Sequence, residues 1–532
     1  MTNENKYLTL SKDGKVVIRC NKAAGEIVIP ASVTEIRDHA FSGCNVLTRI
    51  DILAHITEIK AGTFAGCESL KSITIPNGVS NIENMAFFCC KALTSITIPD
   101  SVAHIANYAF SKCLALEEII IPNNVSKIGS YAFSECKSLK TARISENITN
   151  ISDGMFQGCS SLNAVVIPDG VVSIGAFAFK NCTALTEMAI PAGTTEIGEG
   201  AFCGCEALDG ITIPDGINEI GQDVFANCLA LSTISMPDSI SKIGVDAFTH
   251  CIALKSIDIP CSVSEIDDFA FCDCPRLTDI TIPDGVTRIG RSVFRECSAL
   301  THIDIPCSIT EISAYAFDCC TSLTEITIPR SVTRIGAWAF GSCSSLSKVI
   351  IPDSVAEIGC RAFSFCPALT SITLPDSVIQ VKDYAFANCN NLTDVFVGYR
   401  TLYRDCAFEL SPKVVLHKRP VILYAVLAAI KDSEFGDMDV ANNTLNTFFL
   451  DKKSAIAAAK QLYSELLKKF GLEDNGTPGR LIPGGSFMEC DHEQENRACA
   501  NACIYDSFED GRVSQRASIT VMPLRPSTNS NE

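Results

Sequence analysis

Apolar positions along most of this chain repeat with a fixed period of 23 residues. Each repeat ends near an Ala-Phe pair, and 16 copies follow one another without an insertion or a deletion. Their phenylalanines are Phe41, Phe64, Phe87, Phe110, Phe133, Phe156, Phe179, Phe202, Phe225, Phe248, Phe271, Phe294, Phe317, Phe340, Phe363 and Phe386. A worn copy follows, with Phe408 one residue early. A period of this length predicts a stack of similar coils, because one coil cannot bury its own apolar face.

The repeat has the consensus L-x-x-I-x-I-P-x-x-V-x-x-I-x-x-x-A-F-x-x-C-x-x, and each part predicts a local structure. The alternating, β-branched L-x-x-I-x-I predicts one strand per coil, with its Ile residues facing inward. Pro follows in most copies and stops the strand, since it cannot donate to a sheet ladder. Val and Ile return to the core, and the Ala-Phe stretch predicts a short helical or 3₁₀ return on the opposite wall. Gly precedes the Phe by four residues in only half of the copies, so a positive φ is not required there.

The motif ITIPDSV…IGxxAFxxC resembles the BspA-like leucine-rich repeat family, and the resemblance covers about residues 24 to 410. It implies a leucine-rich repeat solenoid of short parallel β-strands with 3₁₀ or short helical returns. Members of this family are mostly implicated in surface adhesion and in binding to proteins of host or neighbouring cells. The family has no catalytic motif, so the resemblance implies no catalytic residue.

The pattern divides the chain into three parts. Residues 1–23 are predicted to form an atypical N-terminal capping coil, in which VVIRC has strand character. Residues 24–410 are predicted to form the solenoid of about 17 coils. Residues 411–532 are predicted to form a small α+β domain of ββαββ type. Its predicted elements are strands at 421–430 and 446–450, a helix near 456–470, a loop near 472–490 and a hairpin that turns at Asp510-Gly511. The tail from about residue 525 is expected to be disordered.

Composition and charge narrow the possible partners. The chain has a formal net charge of −18. We therefore expect no general nucleic-acid binding, which needs clustered Lys and Arg, and no adsorption to anionic membranes. No segment is long and apolar enough for a membrane span, so no membrane insertion is predicted. The N-terminus lacks the features of a secretory signal, which favours the cytoplasm. Family resemblance favours the cell surface instead, and both locations stay open.

Cys occurs three residues after the Phe in all 16 regular copies, from Cys44 to Cys389. A residue type fixed at one repeat position indicates one packing task, so we expect a column of buried thiols that act as small apolar groups. A disulfide ladder between neighbouring coils is the alternative, which a cytoplasmic location disfavours. Cys261 and Cys307 follow the Pro that ends their strands, and we expect these two thiols to be exposed.

The candidate binding surface is the strand face, because exposed strand positions of stacked coils form columns. One stretch of this face collects acidic residues and a histidine. It comprises Asp258, Asp279, Thr281, His302, Asp304, Glu325 and Thr327, and we call it the acidic patch. The alternative is a solvated sheet face with no partner, on which Thr simply suits β-structure.

No catalytic, phosphate-binding or zinc-protease motif occurs, so we predict neither enzymatic activity nor a cofactor. The one metal-like cluster is Cys490, His492, Cys499 and Cys503, whose spacing is not that of a standard zinc site. These facts predict a non-enzymatic solenoid that binds a protein partner or mediates adhesion through its strand face. An alternative is an intracellular scaffold or addressing arm whose 411–532 module binds a ligand or catalyses a reaction.

Overall fold

A computed structural model describes residues 7–21, 25–398 and 401–418, and beyond them the backbone of five strands between residues 423 and 524. The chain divides into two compact units, Met1–His417 and Lys418–Glu532. The first unit is a β-solenoid of stacked coils, as the period predicts. Its core is one continuous apolar cluster that runs from Leu8 to Ala407.

The predicted strand forms in most coils. These strands line up as the first of two sheets, in which neighbouring strands pair in parallel, one repeat apart, and the ladder is broken at several coils. The strands are Gly25–Ile29, Leu47–Ile52, Ser72–Thr74, Glu118–Ile120, Thr141–Arg143, Ala164–Val166, Gly210–Thr212, Thr233–Ser235, Ser256–Asp258, Asp279–Thr281, Glu325–Thr327, Lys348–Ile350, Ser371–Thr373, Asp394–Val397 and Val415–Lys418. The Pro that follows opens a turn, in which the Val N–H three residues later donates to the Pro carbonyl, as in Val102 to Pro99 at 3.0 Å.

A second parallel sheet was not predicted, and the expectation of one strand per coil is wrong. Its strands have only two residues each and contain the Ile that follows the turn, or Val381 in the last of them. They are Glu35–Ile36, Glu58–Ile59, Asn81–Ile82, His104–Ile105, Lys127–Ile128, Asn150–Ile151, Ser173–Ile174, Glu196–Ile197, Glu219–Ile220, Lys242–Ile243, Glu265–Ile266, Arg288–Ile289, Glu311–Ile312, Arg334–Ile335, Glu357–Ile358 and Gln380–Val381. At the N-terminus, Val16–Cys20 pairs in parallel with Glu35–Ile36 and antiparallel with Leu8–Leu10.

The return wall around each Phe is built of turns, so the predicted short helical return is wrong in the 16 regular coils. Within the described residues, the 3₁₀ segment Asp405–Phe408 of the worn copy is the one helical element. In every regular coil the residues two before and two after the Phe have a positive φ, such as Tyr108 at 57° and Lys112 at 62° around Phe110. Glycine fills only some of these positions, although this region costs other residues about 1–2 kcal/mol.

Hydrogen bonds between coils explain why that conformation is kept. The N–H groups of Tyr108, Phe110 and Lys112 donate to carbonyls of the next coil at 2.8–3.0 Å. The amides between them donate three residues back within their own coil, as Ser111 does to Tyr108 at 3.2 Å. Every second amide thus points along the stack, and the alternation satisfies the backbone of a buried wall. Glycines four residues before the Phe have no positive φ, as expected.

The Phe column and the Cys column fill the core behind this wall. Successive Phe rings stack with centroids 5.1–5.8 Å apart along the whole series, a geometry that favours aromatic pairs beyond area burial alone. All 16 column cysteines are buried. From Cys67 onward each thiol donates to the carbonyl of the Phe one coil before, at 3.1–3.3 Å, as Cys67 does to Phe41. The prediction of buried, weakly donating thiols is confirmed.

Thiol accessibility gives a direct test of this arrangement. Burial raises the pKa of the Cys67 and Cys274 thiols to about 12, so almost no thiolate exists there at neutral pH. Cys261, Cys307 and Cys360 are exposed. We expect a maleimide to label these three in the native protein and the column cysteines only after unfolding, as read by peptide mass spectrometry. Labelling of Cys67 or Cys274 at the rate of Cys261 in the native protein would contradict the buried column.

The second unit contains one antiparallel sheet in its described part. Its strands are ordered Phe448–Phe449, Leu423–Ile430, Val513–Leu524, Ala500–Ser507 and Phe487–Met488. The predicted strands at 421–430 and 446–450 and both arms of the hairpin occur in this sheet. Phe487–Met488 lies in a stretch that was expected to be a loop, and that expectation is wrong. The predicted helix near 456–470 and the tail from 525 lie outside the described residues.

Candidate functional site

In most coils the strand face exposes the residue between the two inward Ile and the residue before the first of them. In the strand Ser256–Asp258, for example, Ile257 is buried while its two neighbours are exposed. This alternation follows from the period of two in a strand. Parallel pairing then aligns equivalent residues of successive coils in columns. The solenoid therefore presents these columns of side chains to the solvent.

All seven residues of the acidic patch are exposed on this face. Register pairs Asp258 with Thr281, and Asp279 with Ser256. The ring Nε2 of His302 lies 3.1 Å from a carboxylate oxygen of Asp304 in its own coil. No strand of the first sheet includes the His302 coil, so the ladder is interrupted between Asp279–Thr281 and Glu325–Thr327. The patch thus consists of exposed side chains of the unpaired His302 coil and of the coils on both sides of it.

The charges of the patch are partly compensated. The Glu325 carboxylate accepts a hydrogen bond from Lys348 Nζ at 3.0 Å, and this bond lowers the pKa of Glu325. The carboxylates of Asp258 and Asp279 form no ion pair with any described residue. These two unpaired carboxylates could pair with basic side chains of a partner. Because both are exposed, each such ion pair would add little affinity and would mainly raise the rate of association.

The structure also shows a feature that the sequence reasoning did not select, namely an apolar stretch of the strand face between residues 118 and 236. Val166 is 76% exposed and Ile120 is 58% exposed. A groove with a volume of about 940 Å³ opens beside Val166. Its lining includes Ala164, Val166, Ala189, Ile190, Gly210 and Ile234, which we call the aliphatic groove. In the sequence, the run Ile120, Arg143, Val166, Ala189 in an otherwise mostly polar column is the available signal.

A second cavity of about 310 Å³ lies at the last coils and is lined by charged residues. These charges are satisfied within the protein, since Asp383 pairs with Arg404 at 3.1 Å and Lys382 pairs with Glu357 at 2.6 Å. Neither cavity is lined by residues of the acidic patch. The aliphatic groove is therefore the larger concavity and the one whose lining is mainly apolar.

Among the described side chains, no group of three or more His, Cys, Asp or Glu residues is placed to hold a metal ion. Of the weak zinc candidates, Cys490, His492 and Cys499 lie outside the described residues, and only the backbone of Cys503 is described. In the described parts of the chain we find no helix that could cross a membrane.

The repeat region matches a family described as BspA type leucine rich repeat region (6 copies). The overlapping matches are residues 20–140, 103–232, 149–278, 218–344 and 264–393, which together cover more than half of the chain. The chain belongs to the BspA-type leucine-rich repeat family. The resemblance read from the repeat motif is confirmed.

Solved structures of bacterial leucine-rich repeat proteins are similar to these BspA-type repeats. A protein from Bacteroides ovatus is 27% identical with a TM-score of 0.58, over 78% of this chain and 99% of the other. A leucine rich cell surface protein from Faecalibacterium prausnitzii is 24% identical with a TM-score of 0.39, over 78% and 93%. A search of curated proteins found no match. None of these matches indicates an enzymatic relative.

Proposed function

We propose that this BspA-type chain is a non-enzymatic solenoid that binds a protein partner through its strand face. The supporting observation is the set of aligned, exposed columns on the first sheet, which include unpaired carboxylates and an open apolar groove. Such a surface offers many weak contacts in register, which suits recognition of another protein. A role in adhesion at a cell surface belongs to the same proposal, supported by family membership.

In this proposal the acidic patch contributes electrostatic attraction. Asp258 and Asp279 are exposed and form no ion pair with any described residue, so a basic partner would gain contacts without breaking an internal ion pair. The chain's net charge of −18 adds a long-range attraction for the same class of partner. Thr281, His302, Asp304, Glu325 and Thr327 would form the surrounding contact surface.

Charge reversal on the full chain tests this proposal. We expect Asp258→Lys with Asp279→Lys to weaken binding to a captured and purified partner by at least about tenfold, and more at low salt. The matched control is Glu199→Lys with Glu206→Lys, which changes the net charge equally at exposed positions outside the strand face. Equal losses in both variants, or no loss in either, would contradict recognition by the patch. Calorimetric titration measures the affinities.

The alternative function assigns activity to residues 411–532, with the solenoid as a scaffold or addressing arm. One observation favours considering it, since Lys418–Glu532 forms a compact unit of its own. Ligand binding or catalysis by this unit stays a prediction. Labelling of intact cells with a membrane-impermeant biotin reagent separates surface adhesion from an intracellular role, because an intracellular protein is labelled only after lysis.

A further inference from the structure

We infer that the aliphatic groove binds an extended, basic segment of a partner protein, with branched aliphatic side chains in the groove and a Lys or Arg side chain on Glu187. This inference rests on the proposed function and gives it a second, chemically defined contact site. The groove lies on the strand face directly before the acidic patch, since Ser235 of its lining and Asp258 of the patch occupy the same position in adjacent coils. Three features of the groove support the inference: small residues, exposed core side chains and one unpaired charge.

Small residues open the groove. The column that contains Ala164 and Gly210 carries Glu118, Thr141 and Lys348 in other coils, and the column of Ala189 carries Arg143. Replacing such side chains by a methyl group or hydrogen removes the cover over the sheet at these coils. A Cβ on Gly210 would lie 2.7 Å from the Thr233 hydroxyl, so this neighbour already fills part of the space above the glycine.

Core side chains reach the solvent in this opening. Ile190 is half-buried, whereas its equivalents Ile98 and Ile121 are 4% and 2% exposed. Ile234 is likewise half-buried, although Ile257 of the next coil is 4% exposed. Removing exposed apolar surface from water is favourable. An occupant with aliphatic side chains would therefore cover the exposed parts of Ile190 and Ile234.

Charge selects the class of peptide. Glu187 is the one charged residue of the groove lining, which contains no Lys, Arg or His. Its carboxylate is exposed and forms no ion pair with any described residue. A cationic side chain beside the aliphatic residues of the occupant would pair with it, and a carboxylate in that place would be repelled.

Peptide selection on the full chain tests the inference. Random dodecapeptides displayed on phage would be selected on the biotinylated protein, and the consensus peptide would be measured by fluorescence anisotropy. We expect a consensus of Leu, Ile or Val around a Lys or Arg. Binding is expected to fall at least about tenfold with Ala164→Lys plus Ala189→Arg, and about threefold or more with Glu187→Gln. The effect of Glu187→Gln should shrink at high salt.

Controls keep the test decisive. Lys348 and Arg143 already occupy the same two columns, so the groove variant is expected to fold, which thermal melting checks. Ser371→Lys plus Thr373→Arg places the same residues in the same columns away from the groove and should leave binding unchanged. A consensus without a basic residue, or equal losses in both double variants, overturns the inference. If peptide binding is lost only in the variant with Asp258→Lys plus Asp279→Lys, the inference is overturned as well. That result would still support binding through the strand face.

Discussion

Phe225→Ala is expected to destabilise the solenoid by about 3–5 kcal/mol, the range for truncating a fully buried Phe. The Phe225 ring is completely buried and stacks on Phe202 and Phe248 with centroid distances of 5.6 Å on both sides. The substitution leaves a cavity at the interface of three coils. Because stability in a solenoid is a sum over neighbouring interfaces, the damage should be local.

Hydrogen exchange measured by mass spectrometry checks both the size and the place of this effect. Protection should fall most in the coils between residues 202 and 248, and urea unfolding gives the loss of free energy. Phe365→Ala is the matched control, since Phe365 is 44% exposed and lies two residues after the core Phe of its coil. We expect it to change stability by less than about 0.5 kcal/mol. Comparable losses in the two variants would contradict the stacked Phe core.

Gly198→Ala is expected to cost about 1–3 kcal/mol, as overpacking does in a close-packed interior. A Cβ at Gly198 would lie 2.4 Å from the backbone nitrogen of Ala176 in the preceding coil. Backbone atoms cannot rotate away, so the two coils must separate. The φ of Gly198 is not positive, and the cost therefore comes from the contact between coils and not from strain at the substituted residue.

Gly221→Ala is the control for that substitution, one repeat later at the same position. The nearest atom to its Cβ would be Cγ2 of Val224 at 3.6 Å, an ordinary contact. We expect no loss, or a gain of about 0.4–1 kcal/mol because alanine restricts the unfolded chain. Thermal unfolding of both variants decides the matter. Equal effects would show that the spacing between coils does not govern this glycine column.

The solenoid and its core could be predicted from sequence because each coil uses the same residue for the same contact. The Phe and Cys columns are visible as a period, and the alternation L-x-x-I-x-I places the exposed residues of the acidic patch on one face. The second sheet could not be predicted in this way. Strands of two residues, such as Glu311–Ile312, are shorter than any alternation that a sequence pattern can display.

The return wall escaped prediction for a different reason. Residues two before the Phe range from Gly154 to Trp338, so no residue type marks their positive φ. That conformation is imposed by hydrogen bonds to the next coil, which form only in the stack. The aliphatic groove likewise depends on how far neighbouring coils cover Ile190 and Ile234, and local sequence shows only the small residues Ala164, Ala189 and Gly210.

The sequence by itself determined the stacked coils, the residues that fill their shared core and the columns exposed on the strand face. It could do so because burial repeats with the same period as the chain. The tertiary structure alone decided the second sheet, the left-handed residues of the return wall and the site of the groove. These features depend on hydrogen bonds and distances between coils 23 residues apart, which no single repeat contains.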